Sequence, residues 1–204
     1  MDKAEWAKGI NLKEELIAPG RPNRSGKPMR PTKVTIHNTD NSAKGADAHA
    51  HSRFVRETGW YEHKGKKIQV SWHYTVDDRV VIRQLPDLER GMHAGSSEGN
   101  AYSLGVEICM QKKIDQEAAN VRAAQLAALL IVEHGLSPDD VVQHRHWSGK
   151  RCPSLLMNEK KWDAFLANVR ACVSVLRPTG EQFPGEAPLP DPFIFTGAMC
   201  WDEQ

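Results

Sequence analysis

Two β-branched runs separated by only two residues constrain this chain more than any other feature. Ile68-Gln-Val-Ser-Trp-His-Tyr-Thr-Val76 and Arg79-Val-Val-Ile-Arg-Gln-Leu85 flank Asp77-Asp78, which reads as an antiparallel hairpin. Three further strand-like runs, Lys33-Val-Thr-Ile-His-Asn38, Ser103-Leu-Gly-Val-Glu-Ile-Cys109 and Val141-Val-Gln143, are interleaved with helix-period segments. Those helical segments are residues 3–9, 46–58 between Gly45 and Gly59, 116–134 and 159–176. The third is the longest, rich in Ala and Leu, with a broad apolar stripe through Val121, Leu126, Leu129, Leu130 and Val132. Strands interleaved with helices, plus one hairpin, predict an α/β (mixed α+β) single domain whose central mixed sheet is flanked by helices.

Punctuation sets the expected boundaries. Residues 1–30 carry Pro19, Gly20, Pro22, Gly26 and Pro28, and beyond the short first helix they read as an irregular lead-in. Residues 31–177 form the body. Pro178, Pro184, Pro188, Pro190 and Pro192 stop regular structure, leaving 178–204 as an extended tail. Lys plus Arg number 27 and Asp plus Glu 26, a net +1, which argues against a nucleic-acid binder. That total hides a division: the tail holds five acids and no base, so residues 1–177 carry +6. No apolar run reaches the roughly 18 residues of a membrane span. The mixed charges of Met1-Asp-Lys-Ala-Glu-Trp-Ala-Lys8 lack the apolar core of a secretory signal, so synthesis in the cytoplasm without a signal peptide is expected. The four widely spread cysteines read as free thiols or a metal site rather than disulfides.

Of nine histidines, His49, His51, His63 and His134 fall on helix faces or in loops and read as plain surface residues. His37 and His144 differ. Each closes a strand, where a sheet presents side chains to a cleft, and Cys152 follows His144 by eight residues. Imidazole and thiolate are good zinc ligands, and three protein ligands leave the fourth position open, as in a catalytic site. His146 is the rival ligand. Glu107 sits in an otherwise apolar strand, where a carboxylate serves either a salt bridge, an exposed face or a catalytic cleft. Cys109 shares its strand face by the two-residue period and reads as a buried inert thiol. Lys150 lies in a Ser-Gly-Lys-Arg loop, open to solvent unless that loop turns back. His93 and Asn100 occupy a Gly/Ser-rich loop, fit either for a groove wall or for a surface turn, and Trp147 either stacks on a ligand or packs.

Five ordered blocks resemble a known family: Ile36-His-Asn-Thr-Asp40, Ser71-Trp-His-Tyr-Thr-Val-Asp-Asp78, His93-Ala-Gly95, Gly105-Val-Glu-Ile-Cys109, and Gln143-His144 with Trp147-Ser-Gly-Lys-Arg-Cys-Pro153. Together they are similar to the zinc-dependent N-acetylmuramoyl-L-alanine amidases, which include the peptidoglycan recognition proteins. The likeness covers about residues 20–170 and is nearest to phage and prophage endolysins. It implies one zinc ion on His37, His144 and Cys152, Glu107 as general base, and Lys150 stabilising the oxyanion. Other branches place a tyrosine where this chain has Trp72, which leaves Trp72 as packing or substrate contact beside His93, Asn100 and Trp147. The implied reaction is hydrolysis of the amide between N-acetylmuramic acid and L-alanine in peptidoglycan, by a monomer that acts on the cell wall after release. Two alternatives are a non-catalytic wall-recognition module, which often lacks the third ligand, and a cytoplasmic recycling amidase, whose metal motif ends in Asp rather than Cys.

Overall fold

The computed structural model describes residues 2–177; the acidic tail, with Cys200, lies outside the described residues. The chain opens with helix α1 (Lys3–Gly9) and a short strand β1 (Leu12–Glu14), followed by β2 (Lys33–Asn38) and α2 (Ala48–Glu57). A small hairpin, β3 (Trp60–His63) and β4 (Lys66–Gln69), precedes β5 (Tyr74–Val76) and β6 (Val81–Arg83). Helix α3 (Ser97–Tyr102) runs directly into β7 (Ser103–Ile108), and α4 (Gln116–His134) follows. The chain then passes through β8 (Val141–Gln143), α5 (Arg145–Ser148) and α6 (Glu159–Leu176). Six strands form the main sheet in the order β1-β6-β5-β7-β2-β8. Only β5 and β6 pair antiparallel; every other neighbouring pair in this sheet is parallel. The mixed sheet flanked by helices is the architecture expected from the sequence.

Local chemistry explains the helix bounds. Asp115 caps α4 by accepting from the Ala118 N–H, and Gly135, at φ 66°, ends it in the left-handed conformation that glycine adopts without strain. Asp47 caps α2 and Asn158 caps α6 in the same way. Strand alternation then assigns the two faces of the sheet. Val34 and Ile36 of β2, and Leu104, Val106 and Ile108 of β7, join one core with residues of α1, α4 and α6. Their neighbours Thr35, His37, Ser103, Gly105 and Glu107 therefore point to the opposite face, where the Thr35 hydroxyl donates to Ser103 Oγ at 2.8 Å. Helix α2 covers part of that second face, its Ala48 packing with Ile82 and Cys109 and its Val55 with Ile17, Trp72 and Leu85.

Three local expectations need correction. The run from Ile68 to Val76 is two strands in two sheets: its start pairs with β3, and only Tyr74–Val76 enters the main sheet. The cause is the Lys64-Gly65 turn, both residues at positive φ, which closes a separate two-stranded hairpin. The hairpin between β5 and β6 exists, but its loop spans 77–80, held by Asp77 Oδ1, which accepts from the N–H groups of Arg79 and Val80. The lead-in also contains a strand, β1, beside β6, and buries Trp6, Ile10 and Ile17 completely. Among the described residues no helix is long and apolar enough to cross a membrane.

Candidate active site

Parallel neighbours end on the same side, so β7, β2 and β8 deliver their last residues to one crevice, the usual ligand position in such sheets. His37 and Glu107 are direct cross-strand partners, and Ile36 lies opposite Gln143, which brings the next residue, His144, alongside His37. The His144 N–H donates to the Ile36 carbonyl at 3.2 Å. Cys152 arrives from the loop after α5. The Arg145 N–H donates to its carbonyl at 3.1 Å, and the Leu155 N–H donates to Asn38 Oδ1 at 2.9 Å, fastening that loop to the end of β2. One ligand atom from each of His37, His144 and Cys152 falls within 4.8 Å of the others, and all three residues are buried. Cys152 Sγ is 3.8 Å from His37 Nδ1, and Glu107 Oε1 is also 3.8 Å from that nitrogen.

Buried polar atoms are almost always paired, because leaving one unpaired costs about 1–3 kcal/mol. Here neither ring nitrogen of His144 makes a well-formed hydrogen bond, and Glu107 Oε2 has none either. Lone pairs converging without donors are what a cation needs, so the donor set fits a metal such as zinc. Burial, followed by the charges of neighbouring His93, His144 and Lys150, holds the His37 pKa well below the ordinary imidazole value; burial and Lys150 lower that of His144. Both rings are therefore neutral, the state in which imidazole ligates. Burial, with Glu107 beside it, pushes the Cys152 thiol up to about 11. Burial also raises the Glu107 carboxyl to about 8, against the opposing pull of Lys150.

These groups face a cavity of about 630 Å³ that Lys150, Trp72, His93 and Asn100 also line. Trp72 is 7% exposed and its indole N–H donates to Thr75 Oγ1 at 2.7 Å. Asn100 Oδ1 accepts from the N–H groups of both His93 and Ala94 at 2.8 Å, so it shapes the loop as well as the wall. Trp147 is not among the lining residues. Its N–H donates to Thr35 Oγ1 at 2.8 Å, and a Cβ at Gly99 would fall 2.7 Å from its ring, so it packs against α3. The Gly/Ser-rich loop before β7 is in part that helix, capped by Ser96. His146 is exposed, edge-on to Trp147, and stands apart from the three ligands. Cys109 packs with Ala48 and Ile82, with its sulfur 3.8 Å from His51 Nδ1. His51 is buried and lines the cavity rather than the surface. It occupies the i+3 place in the buried stripe Ala48, His51, Ser52, Val55, the periodicity that would have revealed it. His134 is also engaged, with Nε2 at 2.9 Å from Asp87. Tyr61 and Ile68 of the small hairpin, with Phe54 of α2, add an exposed apolar wall that the strand pattern alone did not reveal.

Residues 27–155 match the family described as N-acetylmuramoyl-L-alanine amidase, a span of more than half the chain. The chain belongs to this family. It is 40% identical over 162 residues to the N-acetylmuramoyl-L-alanine amidase XlyA of Bacillus subtilis (strain 168), covering 78% of this chain and 51% of XlyA. With CwlH, an amidase of the same organism, it is 37% identical over 178 residues, covering 86% of this chain and 67% of CwlH. The chain thus spans about half the length of one amidase relative and two thirds of the other. The solved catalytic domain of XlyA superposes with a TM-score of 0.70 at 40% identity, covering 78% of this chain and 99% of that domain. The structure of PlyL superposes at 0.66 with 26% identity, covering 78% and 96%. The family match therefore spans His37, Glu107, His144, Lys150 and Cys152, and the fold is shared with the catalytic domain of XlyA.

Proposed function

We propose that this chain hydrolyses the amide bond between N-acetylmuramic acid and L-alanine in bacterial peptidoglycan, using one zinc ion held by His37, His144 and Cys152. The observation that carries this reading is the buried donor set with unpaired lone pairs beside Glu107, inside the segment that matches the amidase family. When bound, zinc would acidify a water molecule and polarise the scissile carbonyl. Glu107, 3.8 Å from His37 Nδ1 and facing the same cavity, takes up a proton and returns it to the leaving amine. Lys150 brings a cation to the cavity wall, where negative charge grows on the carbonyl oxygen. Trp72 and the apolar wall of Phe54, Tyr61 and Ile68 limit water around the reacting bond. The +6 charge of residues 1–177 favours association with an anionic wall, and the chain works there as a monomer after release from the cytoplasm.

Digesting purified peptidoglycan and analysing the products by mass spectrometry tests this. Stem peptides beginning with L-alanine, with glycan strands intact, are expected. Cut glycan or cut cross-bridges would overturn the assignment, and binding without any release would make the chain a recognition module.

A further inference from the structure

His93 lines the cavity, yet both of its ring nitrogens are engaged with protein. Its Nε2 lies 3.1 Å from the Ser103 carbonyl, which can only accept, so Nε2 carries the hydrogen. A neutral ring has one N–H, which leaves Nδ1 as an acceptor. That atom is 3.0 Å from His37 Nε2, which must then be the donor. Because His37 is also a neutral ring, its Nδ1 keeps a bare lone pair, and Nδ1 is the nitrogen that faces Cys152 and Glu107. The neighbouring His73 repeats the pattern: Nε2 donates to the Glu89 carbonyl at 2.8 Å and Nδ1 accepts from the Gly105 N–H at 3.0 Å.

Packing holds the His93 ring in that orientation. A Cβ at Gly105 would sit 2.7 to 2.9 Å from three of its atoms, and one at Gly91 would sit 2.8 Å from its Cδ2. Two glycines thus leave a slot that the imidazole fills. Its backbone N–H is tied to Asn100. The ring can neither rotate toward substrate nor release its acceptor without breaking these contacts.

We propose that His93 is a positioning residue that acts through His37: by accepting the Nε2 hydrogen it fixes the tautomer and ring orientation that aim His37 Nδ1 at the metal. This rests on the assignment of His37, His144 and Cys152 as the metal ligands. Partners of this kind typically change metal affinity by about 10- to 100-fold. They do so by removing the need to reorganise the ligand on binding.

The test uses the full chain in metal-free and zinc-loaded form. Long-range proton–nitrogen NMR of the metal-free wild type should show His37 protonated at Nε2 and bare at Nδ1. Chelator competition with zinc should show His93→Phe weakened by about 10- to 100-fold. His93→Asn, whose amide oxygen falls near the lost Nδ1, should recover most of that affinity, while the metal-free melting temperatures of both variants stay close to wild type. A wild-type His37 protonated at Nδ1 would overturn the proposal. So would unchanged zinc affinity in His93→Phe while Cys152→Ser still abolishes binding, a result that leaves the metal site standing. Absence of zinc uptake by the wild type would instead remove the metal assignment, and this role with it. If His93→Phe does not fold, the wild-type tautomer and the His93→Asn affinity decide the question.

Discussion

His37, His144 and Cys152 gather at the ends of parallel strands; Asp87, Glu133 and His134 gather where the C-terminal end of α4 meets the loop after β6. Both groups bring three potential ligands within 4.8 Å. They differ in what their lone pairs already do. Asp87 Oδ1 accepts from the Tyr74 hydroxyl at 2.6 Å and lies 3.2 Å from an Arg83 nitrogen, and Oδ2 accepts from His134 at 2.9 Å. Both oxygens of that carboxylate are engaged, and Glu133 beside it is exposed. It works as a clamp between a helix end and a loop. In the first group His144 and Glu107 retain buried atoms without donors. Proximity of ligand types is thus a weak signal; unsatisfied lone pairs in a buried setting distinguish a site from a clamp.

The sharpest way to break this contrast is Cys152→Ser, which should reduce zinc content and wall digestion to background, measured by elemental analysis and turbidity loss. A variant that keeps both would erase the distinction. Next in size, Glu107→Gln should lower turnover by about 10²- to 10⁴-fold while zinc remains bound. Full activity there would remove Glu107 from proton transfer. Lys150→Ala should cost on the order of 10²-fold in kcat, with metal content unchanged. The smallest effect on chemistry belongs to Asp87→Asn, which should leave zinc and activity intact and lower stability by about 1–3 kcal/mol, read by chemical denaturation.

The Asp87 clamp also predicts a pH dependence. Burial alone would raise the Asp87 pKa, but bonds from His134 and Tyr74, with the Arg83 charge, pull it below its ordinary value of 3.8. A carboxyl with a depressed folded-state pKa contributes stability that is present above the unfolded value and lost as pH falls through the folded one. The stability gap between wild type and Asp87→Asn should therefore narrow in acid below about pH 4. A gap that stays constant down to pH 2 would mean that Asp87 carries no such linkage.

Much of the site could be read from strand alternation. Val34-Thr-Ile-His37 and Leu104-Gly-Val-Glu-Ile108 each set apolar residues on one face and polar ones on the other, so His37 and Glu107 had to share a face once the strands paired. The helices over 116–134 and 159–176 were legible for a similar reason: cap residues and long periodic stripes are local signals. The split of residues 68–76 between two sheets was not legible, because a β-branched run carries no mark of which partner it will pair with. Nor was the difference between Trp72, which touches the cavity, and Trp147, which packs behind it, since both are aromatic residues beside motif positions.

The sequence by itself determined the kinds of atoms available: two imidazoles and a thiol at strand and loop ends, a carboxyl in an apolar strand, and the periodicity that builds a mixed sheet. The tertiary structure decided which of those atoms are free to act. His93 and His144 are chemically identical side chains, yet one has both nitrogens committed and the other has neither well bonded. Hydrogen-bond satisfaction depends on partners as much as 70 residues away in the chain or more, so it is a property of packing that no local pattern encodes.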